Sequence, residues 1–283
     1  MMVAGSFLVT HNPLGVDNMK NKTSWNNFAN KYSASVHSDT EMNALKDDPT
    51  KAFDQTTWKL IKAHIPDLKG KKICIPSSGD NHAAYAFAMQ GAQVTSCDIS
   101  ENQLANAERI AKKYGWANAI EFICADTMAL TEIPDNTYDL VYTSNGVHVW
   151  LNDLPAMYRN IHRIMKPGST YIMYEIHPFQ RPFDKDMKVI KPYTDTGPLE
   201  DETDINFHWR VMDIMNAILG AGLNIVHIEE MPAEKDYDWP FWISLEDYVN
   251  GVTATKEEVD RMHDWRHNPS VALPNWLGLV ARK

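Results

Sequence analysis

Between Lys71 and Ile176 the chain alternates short apolar runs with helix-forming stretches, and this alternation limits the possible folds more than any other feature. Lys71-Lys-Ile-Cys-Ile-Pro76 reads as a strand broken by proline, followed by a Ser77-Ser-Gly-Asp80 turn. His82 to Gln90 is rich in helix formers, with Gly91 placed as the left-handed residue after its end. Gln93–Cys97, Ile120–Cys124, Tyr138–Thr143 and Thr170–Glu175 read as four further strands. Ser100-Glu-Asn-Gln103 predicts a capping box, with Gln103 reaching back, at the start of a helix that stops at Gly115. Leu154, Met157, Ile161, Ile164 and Met165 have helical spacing, and Pro167-Gly168 predicts the end of that helix. Strands alternating with crossover helices predict an α/β fold whose parallel sheet is covered on both faces.

Beyond Pro178 the pattern changes. His177 to Asp204 is rich in Pro, Asp and Lys and predicts an irregular excursion. Val211, Ile214, Met215 and Ile218 mark one more helix, and Leu223–Ile228 and Trp276–Val280 two more strands. Between those strands lies a long insert holding Tyr237, Trp239, Phe241, Trp242 and Trp265, with a capping box at Thr255-Lys-Glu-Glu258.

Composition excludes several partners. The 283 residues are 44% apolar, enough for a large core. Lys and Arg number 27 against 37 Asp and Glu, and the resulting charge of −10 argues against nucleic acid or an anionic membrane as the main partner. No apolar run approaches the roughly 18–20 residues that span a bilayer, and the N-terminus lacks the pattern of a secretory signal. Cys74, Cys97 and Cys124 form no CxxC pair and read as small side chains buried in a sheet, consistent with a reducing, cytoplasmic setting.

In an open parallel sheet, ligands bind beyond the carboxyl ends of the strands. There the chain places Pro76-Ser-Ser-Gly-Asp-Asn81, then Asp98 nineteen residues beyond Gly79, then Ala125-Asp126-Thr127, then Ser144-Asn-Gly-Val-His148. Small residues followed by a strand-end acid suit an adenosine ligand, with ribose hydroxyls on Asp98 and the adenine amino group on Asp126. The glycine spacing of a dinucleotide site is absent, and Asp80 stands where a pyrophosphate would lie.

With these residues in this order, the chain resembles the class I S-adenosylmethionine-dependent methyltransferases, particularly their small-molecule branch. The resemblance runs from Lys71 to Glu175 and resumes over 208–230 and 272–283. It implies a doubly wound, mostly parallel seven-stranded sheet with a final antiparallel strand, divided into an N-terminal helical lid over 1–55, a Rossmann-like cofactor-binding core over 56–177, and an acceptor side over 178–283 that combines inserts with the remaining core helix and strands. It implies that S-adenosylmethionine, and its product S-adenosylhomocysteine, lie against Ser77, Ser78, Gly79, Asn81, Asp98, Ile99, Gln103, Asp126, Thr127, Asn145 and Gly146. The family's first strand usually ends in an acid, whereas that slot here holds Ile75, and Ser77 and Asn81 stand in for two of its glycines. Asp80 or Asn81 is expected to take over the missing polar role. The aromatic face Trp25, Phe28 and Tyr32 looks like the family's helical lid, with Tyr32 at the cofactor, or else like a helix merely packed on the domain.

Methyl transfer from a sulfonium chiefly requires donor and acceptor to be held close and in line. Candidates for a general base are His148, Glu175, His177 and His208. Tyr237, Trp239, Phe241, Trp242 and the segment Pro178–Phe183 are expected to wall a small-molecule acceptor site, with Arg181 or Lys191 placed to meet an acidic substrate. His263 and His267 have metal-ligand spacing but no third ligand, so no metal is expected. Two other readings stay open: an NAD(P)-dependent oxidoreductase, and a non-catalytic protein that binds S-adenosylmethionine or S-adenosylhomocysteine.

Overall fold

The five apolar runs before Pro178 are strands β1 (Lys72–Ile75), β2 (Gln93–Asp98), β3 (Ile120–Cys124), β4 (Tyr138–Ser144) and β5 (Met165–Ile176). The computed structural model describes residues 16–184, 186–235, 247, 250 and 252–283. A two-residue ribbon, β6 (Leu199–Glu200) and β7 (Ile205–Asn206), stands apart, and β8 (Asn224–Met231) and β9 (Trp276–Arg282) complete the main sheet. Its order is β3-β2-β1-β4-β5-β9-β8, parallel from β3 to β5, with β9 antiparallel to both its neighbours.

Side chains alternate faces along a strand, so each central strand feeds two cores. Ile73, Ile75, Leu140, Tyr142, Ile172 and Val280 pack on one side, with α2 (Asp39–Asp47), α3 (Gln55–His64) and α4 (His82–Met89). Cys74, Val141, Tyr171, Met173 and Leu279 pack on the other, with α6 (Leu154–Ile164) and α7 (Val211–Gly220). The remaining helices are α1 (Val16–Val36), α5 (Glu101–Tyr114) and α8 (Lys256–Met262). Met42, Leu45 and Phe53 belong to the same core as Ile73, so the packing runs unbroken across the expected boundary at 55/56.

Three local expectations need correction. Helix α6 ends at Ile164, and Met165 already pairs with Tyr138, so Pro167-Gly168 lies inside β5 at a register shift rather than closing the helix. Ser100 does cap α5 through the Gln103 backbone (3.2 Å), but the Gln103 side chain extends elsewhere instead of reaching back. Cys74 and Cys97 are buried on adjacent strands with sulfurs 4.0 Å apart, whereas Cys124, at the end of edge strand β3, is exposed. Among the described residues no helix is long and apolar enough to cross a membrane.

Candidate active site

The loop after β1 is folded by two left-handed residues, Ser77 (φ 50°) and Gly79 (φ 52°). Its backbone is tied to β2 by Ser78 N–H donating to Cys97 O at 2.8 Å, and Ser77 Oγ meets Thr127 Oγ1 at 2.7 Å after β3. The positive φ at Gly79 is one that other residues rarely adopt, and a Cβ there would stand 3.0 Å from Gln103 Oε1, at the tip of a flexible side chain. Gln103 Oε1 is itself buried without a hydrogen-bond partner, the kind of acceptor that a ligand donor completes.

Two carboxylates lie beyond this loop. Asp98 accepts the Gly79 N–H on Oδ2 and the Ser100 N–H on Oδ1, both at 2.8 Å. Asp126 accepts Met128 N–H on Oδ1 (2.8 Å) and Asn18 Nδ2 on Oδ2 (2.9 Å). A carboxylate oxygen carries two acceptor positions, so each acid is fixed by the protein and keeps capacity for a ligand. Burial raises both carboxyls above the ordinary carboxylate range.

Helix α1 covers this end. Asn26 Oδ1 accepts from Ser100 Oγ (2.7 Å) and Asn102 N–H (3.1 Å), and its amide donates to Glu101 Oε2 (3.0 Å). Asn21 donates to Ile205 O at 2.9 Å and accepts from Ile205 N–H at 2.9 Å, tying the helix to the small ribbon. Trp25, Phe28 and Tyr32 do share one face, with ring centroids 6.0–6.4 Å apart. Replacing Asn26 with Ala is expected to cost roughly 1–3 kcal/mol of local stability, because several hydrogen bonds with α5 disappear together. Hydrogen exchange should then speed up in α1 and leave β4 and β5 unchanged; uniform protection across both proteins would remove the clamp role.

The two residues expected to replace the missing acid, Asp80 and Asn81, both line the cavity at this end of the sheet. Asn81 caps α4 through Ala83 N–H (2.8 Å) and donates to Ser144 Oγ (2.9 Å). The Asp80 carboxyl is buried 3.4 Å from His37 Nδ1 beneath α1, where burial pushes it up to about 7 and pulls His37 down to about 3. Ile75 is buried in the core and offers no polar group.

At the end of β4 the chain turns through Asn145 (φ 65°) and Gly146 (φ 86°). Glu175 holds this turn: Oε2 accepts His148 N–H at 3.0 Å, while Oε1 accepts Ile176 N–H at 2.9 Å. His148 is buried, with Nε2 2.8 Å from Tyr158 Oη, and burial lowers it. His177 is fully buried: Nδ1 accepts Phe179 N–H (3.2 Å), and Nε2 lies 3.1 Å from Glu230 Oε1. His208 is half-buried, its ring driven down to about 4 by burial and by the charges of Arg181 and Lys191.

One continuous cavity of 1610 Å³ joins these parts. Tyr32, Ser77, Ser78, Gly79, Asn81, Asp98, Ile99, Gln103, Asp126, Thr127, Asn145 and Gly146 all line it. Its other end is walled by Trp150, Ile176, Gln180, Arg181, Phe183 and Trp276. None of His148, Glu175, His177 or His208 opens onto it. Tyr237, Trp239, Phe241 and Trp242 lie outside the described residues. His263 follows the end of α8, and among the described residues no cluster of His, Cys, Asp and Glu has the makings of a metal site.

A methyltransferase-domain family model matches residues 76–173, from the loop after β1 into β5. A sterol 24-C-methyltransferase of Gibberella zeae is 27% identical over 192 residues, 67% of this chain and 48% of that protein. Over this stretch the chain is similar to the class I S-adenosylmethionine-dependent methyltransferases. It spans about half the length of the curated relatives it matches. Among solved structures, an S-adenosylmethionine-dependent methyltransferase from Mesorhizobium loti has a TM-score of 0.57 at 22% identity, covering 80% of this chain and 97% of that one. A geranyl diphosphate C-methyltransferase from Streptomyces coelicolor has a TM-score of 0.62 at 13% identity, covering 95% and 99%. Both share the fold.

Asn18, Asn21 and Ser144 also line the cavity, and of these the sequence singles out only Ser144, as the first residue of the segment after β4. Asn18 and Asn21 sit on α1 ahead of the aromatic face, and nothing local marks them as partners of Asp126 and Trp150, more than a hundred residues away. Ser144 ends β4 one position before the predicted turn, a signal available in the sequence.

Proposed function

We propose that the protein transfers a methyl group from S-adenosylmethionine to a small-molecule acceptor. What supports this most is the convergence of Asp98, Asp126, Gln103 and the Gly79 loop on one cavity that Trp150, Ile176, Arg181, Phe183 and Trp276 also line. In this reading Asp98 takes the ribose hydroxyls, Asp126 the adenine amino group, and Gln103 Oε1 a further donor. Bound there, S-adenosylmethionine supplies an electrophilic methyl on a sulfonium sulfur. The chain's own part is to bind, orient and exclude water, which together replace a bimolecular encounter by a held geometry. Trp25 and Tyr32 add an aromatic wall, which attracts a cation by roughly 0.5–2 kcal/mol. Glu175 and His148 act behind the wall, fixing the Asn145–Gly146 turn that lines the cavity. The reaction therefore relies on placement more than on a side-chain base.

Calorimetric titration tests the reading. One saturable site for S-adenosylhomocysteine at micromolar concentration is the expected result. No heat with S-adenosylhomocysteine, or saturation by NADH in its place, would overturn the proposal. Binding without methyl incorporation into any of a broad acceptor panel would reduce it to the non-catalytic alternative.

A further inference from the structure

Two cationic side chains of Lys or Arg line the cavity among the described residues, and they differ in setting. Lys51 is exposed, whereas Arg181 stands in the partly buried wall at the acceptor end. The chain leaves β5 through a turn over Pro178–Gln180, capped by His177. Gln180 Nε2 pins that turn to the C-terminal insert through Ser270 O (3.2 Å) and Pro274 O (3.0 Å). Arg181 follows directly, its backbone N–H closing the turn onto Pro178 O at 3.2 Å. The guanidinium itself makes no hydrogen bond or ion pair among the described residues. Glu175 is the acid whose charge acts on it, but no hydrogen bond or ion pair joins the two side chains. Lys191, the other candidate for an acidic substrate, donates to Asp195 O and does not line the cavity.

A guanidinium carries five donors in a planar fork and holds its charge at any physiological pH, so leaving one unpaired in a partly buried wall is costly unless a ligand completes it. The positive field is felt nearby, since Arg181 helps to push both His148 and His208 down. We propose that Arg181 is the carboxylate-binding residue of the acceptor pocket, so that the methyl acceptor is an apolar molecule bearing a single carboxylate. This rests on the methyltransferase reading above. A carboxylate matches the fork with two parallel hydrogen bonds. Asp184 and Asp186 line the same wall, with Glu175 behind it, and a doubly charged phosphate would meet three acids against one cation. Trp150, Ile176, Phe183 and Trp276 supply the surface for the apolar body.

The test uses the full chain, wild type and Arg181→Met, Arg181→Gln and Arg181→Lys, each first titrated with S-adenosylhomocysteine. Unchanged affinity for that ligand shows that a variant is folded. The saturated proteins are then titrated with benzoate, octanoate, their uncharged amides and inorganic phosphate, followed by protein-observed NMR. At least one carboxylate should bind tenfold or more tightly than its amide, with the preference lost in Arg181→Met and Arg181→Gln and kept in part by Arg181→Lys. Carboxylates and amides binding alike, neither binding, or a preference that survives in Arg181→Met overturns the inference, and phosphate binding more tightly than both carboxylates does the same. Wild-type protein that fails to bind S-adenosylhomocysteine strikes the methyltransferase reading itself, whereas binding with no carboxylate preference strikes only the role of Arg181.

Discussion

Asp98→Ala is expected to weaken S-adenosylhomocysteine binding about 100-fold, equivalent to roughly 2.7 kcal/mol. The loss has two sources. The carboxylate is the acceptor proposed for two ribose hydroxyls, and hydrogen bonds to a charged group contribute roughly 1.5–3 kcal/mol each. It also accepts Gly79 N–H and Ser100 N–H at 2.8 Å, so its removal frees the loop after β1 at one end and the start of α5 at the other. Asp126→Ala removes a single proposed ligand contact, and its effect should be about tenfold. Calorimetry on both variants, with thermal melting as the control for folding, distinguishes the cases. Unaltered affinity in a folded Asp98→Ala protein would remove Asp98 from the nucleoside site.

Asp80→Asn is expected to stabilise the protein at pH 8 by roughly 4 kcal/mol, the equivalent of about three pKa units. Burial pushes the folded-state carboxyl up to about 7 from its ordinary 3.8. The unfolded chain ionises freely above pH 4, whereas the folded chain resists ionisation, so a penalty grows as pH rises from about 4 and is complete above about 7. Asn has nearly the same shape and no charge, and so escapes it. The gain should shrink to about 1 kcal/mol at pH 4.5, where the unfolded carboxyl is only partly ionised. His37 works in the opposite sense, because its folded value is about 3 against 6.5. Its neutral form is favoured by folding, and the associated stability is lost as pH falls from 6.5 towards 3. Between about pH 4 and 6.5 both groups are neutral in the folded chain, so their 3.4 Å separation is not an ion pair there. Urea unfolding of both proteins from pH 4.5 to 8 measures the difference, and a gain that does not change with pH would exclude this account.

The sheet was legible because its evidence is local and repeated. Each strand carries a run of β-forming residues, β1 to β5 are each closed by Pro, Gly or Asp at or within two residues of their ends, and alternation with helices leaves few topologies. The nucleotide end was legible for a related reason: Asp98 and Asp126 stand at strand ends, and parallel strands bring such ends together. Side-chain direction was harder. Gln103 satisfies the spacing of a capping box, yet the loop after β1 leaves room beneath Gly79 that the longer side chain fills. His148 and His177 occupy positions suited to a base, but whether a strand-end side chain faces the cavity or the core depends on turns that single residues do not encode. Long-range partners of α1 were invisible for want of any local pattern, since Asn18 meets Asp126 across 108 residues of chain.

The contact between Trp25 on α1 and Trp150 beyond β4 has an optical consequence. The two indoles meet edge to face with centroids 5.1 Å apart, and both line the cavity. Any movement that lifts the first helix to admit or discharge a guest must part this pair and wet two fluorophores at once. The molecule thus carries its own emission gauge of opening, readable by stopped flow without an attached dye and isolated from the other tryptophans by comparison with Trp150→Phe.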